Sequence, residues 1–319
     1  MTSSKQTANG IPLAGANWLT RLGDLRKARE VNVLLALLVV SALISLASPY
    51  FLTTNNLMGV ARAFSLTAIM SIGMVMVIIT GGIDLSVGSV MGLSSLVTAL
   101  MFAAGMPSGI AIAAGLGVGL VFGFANGVLV TLVGLPPFIA TLGTLSIGRG
   151  LMYMVTHGVP VTPDTPDTFA ILGQGYVGFV PVPVVIMIVL TIVFSVLMKK
   201  TRFGRHVYAT GGNEAAARLS GVRNNRIKLI VYMLSGLISA LAGIIAFSRY
   251  LSAEPASGFG AELDVIAAAA IGGASLAGGV GSVAGAVIGA ALTGVAIGAP
   301  AAIVPREFAR SGRFRPVVA

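Results

Sequence analysis

The sequence has no cysteine, only two histidines and only 9% charged residues. Without cysteine the chain can form neither a disulfide framework nor a thiolate metal site, and the histidines, His157 and His206, lie far apart. Glycine is nowhere followed by lysine, so the nucleotide-binding loop GxxxxGK[ST] is absent and the chain cannot be read as its own ATPase. The sequence therefore predicts no catalytic residue, no metal and no cofactor bound by this chain. An intramembrane enzyme is not expected, because the sequence shows no cluster of a nucleophile, a base or metal ligands.

Apolar residues are abundant instead: they make up 56% of the sequence, and the mean hydropathy is +0.96. A hydrocarbon core of about 30 Å requires roughly 20 helical residues, whose backbone must satisfy its own hydrogen bonds. We therefore predict an all-α, polytopic transmembrane helical bundle of about 8–10 helices, including broken segments, within residues 31–298. The apolar segments fall at about 31–48, 63–79, 87–104, 110–133, 136–155, 182–198, 229–247 and 264–298. Glycines interrupt the last segment, which forms either one long broken helix or two short ones.

The basic residues lie in short segments between the apolar runs, which indicates topology signals and argues against nucleic-acid binding. Residues 1–30 carry a basic cluster and are expected to be a cytoplasmic tail. Residues 156–181 contain Asp164 and Asp167 but no lysine or arginine, so they are expected outside. Residues 199–228 hold eight basic residues and are expected to form the main cytoplasmic loop.

Glycine recurs at four-residue spacing in two stretches, a pattern that lets helix backbones approach closely in lipid. These expected packing positions are Gly119, Gly123, Gly127, Gly281, Gly285 and Gly289. In addition, Gly81–Ser86 and Gly272–Leu276 resemble each other weakly, which suggests a two-fold internal repeat.

An acidic residue interrupts the apolar sequence at TGGIDLSVGS, residues 80–89. One interpretation is that Asp84 or Ser86 caps the following helix; the other is a gate or path element at a broken helix. Acidic caps are common and intramembrane carboxylates rare, which favours the cap. Arg62 and Arg149 are expected to be interfacial anchors whose side chains extend toward the membrane surface.

The segment GGNEAAARLSG, residues 211–221, predicts a two-turn helix inside the basic loop. Asn213 suits the N-cap, Glu214 the first turn, Arg218 the position four residues later, and Gly221 the left-handed C′ position. A helix this short is marginal in water, so it must pack against its own protein or against a partner.

Several long motifs occur in the order found in a known family: GGIDLSVGS (81–89), PPFIATLGTLSIGRG (136–150), TRFGRHVYATGGNEAAARLSGV (201–222) and ELDVIAAAAIGGASLAGG (262–279). From about residue 34 to residue 297, the chain resembles the ribose-type permeases of bacterial ABC sugar importers, within the branched-chain amino acid/monosaccharide permease superfamily. The resemblance implies a multi-pass inner-membrane permease with a cytoplasmic N-terminus, surrounded by lipid. It further implies a second permease copy in a homodimer, a cytoplasmic ATPase that holds ATP and Mg, and a periplasmic sugar-binding protein.

The resemblance also implies roles for residues of this chain. Residues 213–220 match a short helix that docks on the ATPase and transmits its closure. The expected coupling residues are Gly212, Asn213, Glu214, Ala217, Arg218 and Gly221, and the expected path or gate residues are Asp84, Ser86, Glu262, Asp264 and Ser275.

Two alternative functions stay open at this point. The cargo could be another small solute, such as a branched-chain amino acid, or the chain could be an ion-coupled secondary transporter, for which Asp84 is the best support. Residues 299–319 depart from the family because prolines and four arginines replace the expected last apolar helix. We therefore expect this basic tail to reflect a truncation or a shifted reading frame.

Overall fold

The computed structural model describes residues 29–303, and the surroundings of the side chains for residues 30–296. Helices and one short hairpin make up this part of the chain. The helices are α1 (Arg29–Ala47), α2 (Thr54–Ile79), α3 (Val87–Ala103), α4 (Ser108–Thr131), α5 (Pro137–Thr156), α6 (Asp167–Gln174), α7 (Val182–Lys200), α8 (Arg202–Gly212), α9 (Glu214–Leu219), α10 (Asn224–Tyr250), α11 (Ala261–Ile271) and α12 (Val283–Ile303). Strands β1 (Tyr176–Val177) and β2 (Val180–Pro181) pair antiparallel, with Tyr176 opposite Pro181.

Six of these helices, α1, α2, α4, α5, α7 and α10, are long and apolar enough to cross a membrane, and α3 and α12 contribute shorter apolar helices. The prediction of an all-α, polytopic membrane bundle is confirmed. The segment predicted at 264–298 forms two helices, α11 and α12, joined by residues 272–282. Most of the predicted tails, 1–30 and 299–319, lies outside the described residues, although α12 itself continues to Ile303.

Helices α2, α3 and α10 form the centre of the bundle. The second half of α2 is buried without interruption from Ala68 to Ile79, and α10 packs along α4, α3 and α2. Helices α1, α4, α5 and α7 lie outside them and expose large apolar side chains along one face. Such faces are stable in lipid, because hydrocarbon tails are as apolar as leucine side chains.

The lysines and arginines of residues 199–228 mark one end of the bundle, which we call the basic end. Helix α7 finishes there with Lys199 and Lys200, α8 and α9 lie across it, and α10 starts from it. Helix α4 also finishes there, since Asn225 donates to the Thr131 carbonyl at 3.1 Å.

The opposite end carries α6 and the β-hairpin. Phe169 of α6 packs against Phe102 and Phe247, with ring centroids 4.7 and 5.4 Å apart. Gly173 donates to Ser248 Oγ at 2.8 Å, and the Arg62 guanidinium lies 4.7 Å from the centre of the Tyr176 ring. The segment 156–181, predicted as a loop, therefore contains a helix and a hairpin that pack on the bundle.

Two helices begin inside the bundle rather than at its ends. Gly88, in the first turn of α3, lies against Glu262, Gly258 and Arg149, and Arg149 sits twelve residues into α5. Residues 251–260 therefore re-enter the bundle from the end of α10, and we call them the re-entrant segment. Helix α11 then runs back toward the basic end over 11 residues, about half the thickness of a bilayer.

Candidate functional site

Helix α9 lies on the surface of the basic end, and the predicted capping pattern is confirmed. Asn213 Oδ1 accepts a hydrogen bond from the Ala216 amide at 2.9 Å. Gly221 has φ +84°, and the Val222 amide donates to the Ala217 carbonyl at 3.0 Å. The Gly221 amide donates to the Arg218 carbonyl at 3.0 Å, so the helix ends in a Schellman motif.

The chain itself holds α9 in place. Glu214 pairs with Lys228 of α10 at 2.7 Å, whereas its predicted partner Arg218 lies 3.9 Å away. Asn224 Nδ2 donates to the Glu214 carbonyl at 2.7 Å, and Asn224 Oδ1 accepts from Thr210 Oγ1 at 3.2 Å. The buried Asn224 therefore joins α8, α9 and α10, and the exposed pair between Glu214 and Arg218 contributes little.

The outer surface of α9 is left free. Ala217 faces inward and is buried, whereas 72% of the Arg218 side chain is exposed and Leu219 is 90% exposed. Gly212 ends α8 just before it. A large, exposed apolar side chain held next to Arg218 on a capped helix can contact another protein.

Helix α8 was not predicted. Its two terminal glycines and three basic or histidine side chains argue for a loop, but Phe203, Val207 and Thr210 at helical spacing face the bundle. Burial, with a smaller contribution from the Glu30 carboxylate, raises the pKa of Tyr208, so its hydroxyl stays protonated. That hydroxyl donates to the Gly281 carbonyl at 2.8 Å.

Asp84 lies at the centre of a buried polar cluster. Its carboxylate accepts from the Ser86 amide at 3.0 Å, from Ser86 Oγ at 2.6 Å and from Ser235 Oγ of α10 at 2.9 Å. Asn126 of α4 donates to Ser86 Oγ at 2.8 Å and accepts from Thr144 of α5 at 2.6 Å. This cluster, which we call the Asp84 cluster, connects the turn after α2 to three helices.

The structure gives a divided result for the helix-cap interpretation of this segment. The Asp84 carboxylate accepts from the free amide of Ser86 at the entrance to α3, whereas the Ser86 side chain accepts from no first-turn amide of α3. Both residues are about 99% buried in the single chain. They can therefore fix the packing of α3 against α4, α5 and α10, and they would reach a transport path only if those helices moved.

Arg149 and Glu262 form a second internal cluster, and the prediction that Arg149 is an interfacial anchor is wrong. Only 13% of the Arg149 side chain is exposed, and it donates to the carbonyls of Ser257, at 2.6 Å, and of Gly258. Its guanidinium lies 3.8 Å from Glu262 Oε2. The side chain turns inward because re-entrant carbonyls have no helical partners and need donors.

The other predicted path residues lie apart from these two clusters within the described chain. Asp264 is exposed on α11, and Ser275 is half-buried in the connection 272–282. The Ser275 amide donates to the Val280 carbonyl at 2.9 Å.

The predicted packing glycines lie at close backbone contacts. A Cβ on Gly119 would overlap the Gly236 carbonyl, and one on Gly123 the Tyr232 carbonyl, which puts the closest approach of α4 and α10 there. In the same way, Gly285 contacts Gly272, the residue that follows α11, and Gly289 contacts Ala268 of α11. Gly127 contacts Leu229. Gly281 precedes α12 instead of lying on it, and it contacts the Ile79 side chain.

Three residues of the Asp84 cluster were not singled out in the sequence: Asn126, Thr144 and Ser235. Asn126 could have been recognised from the sequence, because a side-chain amide inside an apolar run needs a hydrogen-bond partner. Thr144 and Ser235 could not, because serine and threonine hydroxyls can also bond to the carbonyls of their own helix.

The sequence of this chain is similar to those of known permeases over most of its length. Residues 56–307 match the family described as branched-chain amino acid transport system / permease component. The ribose import permease protein RbsC of Escherichia coli (strain K12) is 45% identical over 268 residues, which cover 83% of this chain and 84% of that protein. RbsC of Bacillus subtilis (strain 168) is 42% identical over 83% of both chains. The xylose transport system permease protein XylH of Haemophilus influenzae is 37% identical over 83% of this chain and 88% of its own length. No solved structure matches.

Proposed function

Since this chain belongs to the family of transport-system permease components, we propose that it is the membrane-spanning subunit of an ATP-driven importer for a monosaccharide such as ribose. As a permease component it is not an enzyme, and ATP is hydrolysed by a separate subunit. The cargoes in the names of the relatives, ribose and xylose, support a sugar. A branched-chain amino acid is the alternative cargo, supported by the family's description alone.

Three partners belong to this proposal: a second copy of the chain, a cytoplasmic ATPase that binds ATP and Mg, and a periplasmic sugar-binding protein. The basic end then faces the cytoplasm of a bacterium, together with the N-terminus. Backbone without regular structure at membrane depth must be buried in protein or line a water-filled path. Phe259 of the re-entrant segment is 81% exposed in the single chain, which supports a second copy or a sugar path on this side.

Transport by this pair would follow alternating access. Closure of the ATPase subunits moves α9 on each copy, and the bundle changes the side on which the path between the copies is open. Arg149 and Glu262 hold the re-entrant segment, and the Asp84 cluster holds the start of α3. These two regions are where we place the gate.

The observation that carries the proposal is α9, a capped two-turn helix whose Leu219 projects from the basic end. The test is sugar-stimulated ATP hydrolysis after this chain is reconstituted with its candidate ATPase and binding protein. Replacement of Leu219 by aspartate (Leu219→Asp) should abolish most of the stimulation, because it removes an exposed apolar contact and touches nothing inside the chain. Leu219→Met keeps the size and apolar character and should retain stimulation.

The outcomes separate the candidate functions. Equal stimulation by native protein and Leu219→Asp would remove α9 as the docking helix. Proton- or sodium-driven uptake without any ATPase would overturn the importer in favour of an ion-coupled transporter. Stimulation by leucine or valine, and not by ribose, would identify the amino-acid cargo.

A further inference from the structure

Three glycine-containing turns that are far apart in the sequence meet at the basic end, directly behind α9. They are the turn at Gly81 after α2, Gly211–Gly212 at the end of α8, and Gly278–Gly279 in the connection 272–282. We call this meeting point the glycine junction. It lies one residue from α9, since Asn213 alone separates Gly212 from Glu214.

The junction is made of main chain pressed against main chain. The Gly279 amide donates to the Ile79 carbonyl, the last of α2, at 2.9 Å. A Cβ on Gly211 would overlap that same Ile79 carbonyl and lie 2.8 Å from the Gly279 amide nitrogen. A Cβ on Gly279 would lie 2.9 Å from the Gly212 Cα, and one on Gly278 would lie 3.2 Å from the Gly81 Cα. Outside their own segments, the atoms nearest to the hypothetical Cβ positions of Gly211, Gly278 and Gly279 are all main-chain atoms of the other two turns or of Ile79.

A hydrogen bond fixes α8 to the same connection from the side. Tyr208, one turn before Gly212, donates to the Gly281 carbonyl at 2.8 Å. Helix α8 is thus attached at two points to residues 272–282 and at one point to the end of α2.

The two elements that meet α8 lead to the two internal clusters. The end of α2 continues through Gly81 to Asp84 and Ser86, and residues 272–282 join α11, which begins beside Glu262, to α12. Close-packed backbone has almost no compressibility, so a displacement of Gly211 must be passed on to both neighbours.

We propose that Gly211 and Tyr208 are positioning residues that pass the displacement of α9 to the end of α2 and to residues 272–282, and so to both gate clusters. This inference rests on the proposed function, because it assumes that a partner moves α9. It assigns the internal route of coupling, whereas the proposed function assigns only the surface where coupling begins.

The test compares substituted chains in the complete complex with ATPase and binding protein. Gly211→Ala adds one methyl group against the Ile79 carbonyl and should lower the ratio of stimulated to basal ATP hydrolysis by about 10-fold or more. Tyr208→Phe removes one hydrogen bond without adding volume and should lower the ratio by about 2- to 10-fold. Gly59→Ala is the matched control: Gly59 is a helical glycine of α2 with open space at its Cβ, and its ratio should equal that of native protein.

A second readout follows the connection itself. The chain has no cysteine, so Ala277→Cys places a single thiol on an exposed residue of 272–282. Trapping the ATPase in its closed state should change the rate at which this thiol reacts with a maleimide. Tyr208→Phe should reduce that change, whereas Gly59→Ala should preserve it.

The outcomes are distinct from those that test the proposed function. Absence of stimulation in the native complex would count against the importer itself. Native stimulation with unchanged ratios in assembled Gly211→Ala and Tyr208→Phe complexes would overturn the route through the junction. If Gly211→Ala fails to assemble, the ratio and the thiol reactivity of Tyr208→Phe decide.

Discussion

Single glycines set how closely α4 and α10 pack, and this gives a prediction for two neighbouring positions. Gly119→Ala forces a methyl group into the Gly236 carbonyl and should destabilise the bundle by about 1–3 kcal/mol. Gly117→Ala, two residues away on the same helix, meets open space and should be neutral or stabilise by up to about 1 kcal/mol. The free energies of unfolding can be measured by denaturant titration in mixed micelles. Equal destabilisation by both substitutions would contradict the close approach.

Two serines on α10, one helical turn apart, give a second prediction. Both are fully buried, but Ser235 donates to the Asp84 carboxylate whereas Ser239 donates to the Ser235 carbonyl of its own helix. Ser235→Ala should cost about 1.5–3 kcal/mol because a buried carboxylate loses a donor, and Ser239→Ala about 1 kcal/mol or less. Similar costs in the same titration would show that the Asp84 cluster does not hold α10.

What the sequence could predict about single residues depended on distance along the chain. Asn213 and Gly221 act on amides and carbonyls within five residues, so capping rules placed them correctly. The partner of Asp84 on α10 lies 151 residues away, and Arg149 meets carbonyls 108 and 109 residues away. Such pairs follow from helix packing, which a single sequence does not specify.

Helix α9 is short enough for its N-cap to decide its local stability. Asn213→Ala removes the side-chain acceptor for the Ala216 amide and should destabilise α9 by about 1 kcal/mol. Amide hydrogen exchange in residues 214–222 should then become about 5-fold faster, with α2 and α10 unchanged. Asn213→Asp retains the acceptor and serves as the control, so equally faster exchange there would argue against a capping role.

Helices with long apolar runs were predicted from hydropathy and α9 from its capping residues, whereas the short helices α6 and α8 were missed. Six spans follow from length and hydropathy alone. Helix α8 was missed because packing stabilises it through Phe203 and Val207 while glycines end it.

The structure also bears on the weak internal repeat. Helices α2 and α11 end in the same kind of turn, in which Gly81 and Gly273 have a left-handed backbone conformation. Gly81 is therefore structurally equivalent to Gly273, one residue beyond Gly272, with which the sequence comparison matched it. Schellman ends of this kind are common, and the internal repeat stays a prediction.

The distribution of charge over the whole molecule bears on its orientation. The eight basic residues of 199–228 gather at one end through α7, α8, α9 and α10, while Asp164 and Asp167 lie near α6 at the other end. Apolar periodicity alone could not place α8 and α9 on the same surface as the ends of α2 and α4, because that requires the packed bundle. The charge pattern and the fold thus agree on two distinct ends, and from the positive-inside rule we predict an assignment of the basic end to the cytoplasm.

That assignment predicts which of two single cysteines is reachable from outside the cell. Thr168→Cys on α6 and Ser220→Cys after α9 are both exposed, and the native chain adds no competing thiol. A membrane-impermeant maleimide should label Thr168→Cys in intact spheroplasts, and Ser220→Cys only after the membrane is permeabilised. The reverse pattern would invert the bundle and place α9 outside, where no ATPase could bind it. The two thiols belong to the same fold and differ only in the end of the bundle that they mark. Labelling each variant after solubilisation shows whether its thiol can react at all. This control separates unequal folding of the two variants from their orientation in the membrane.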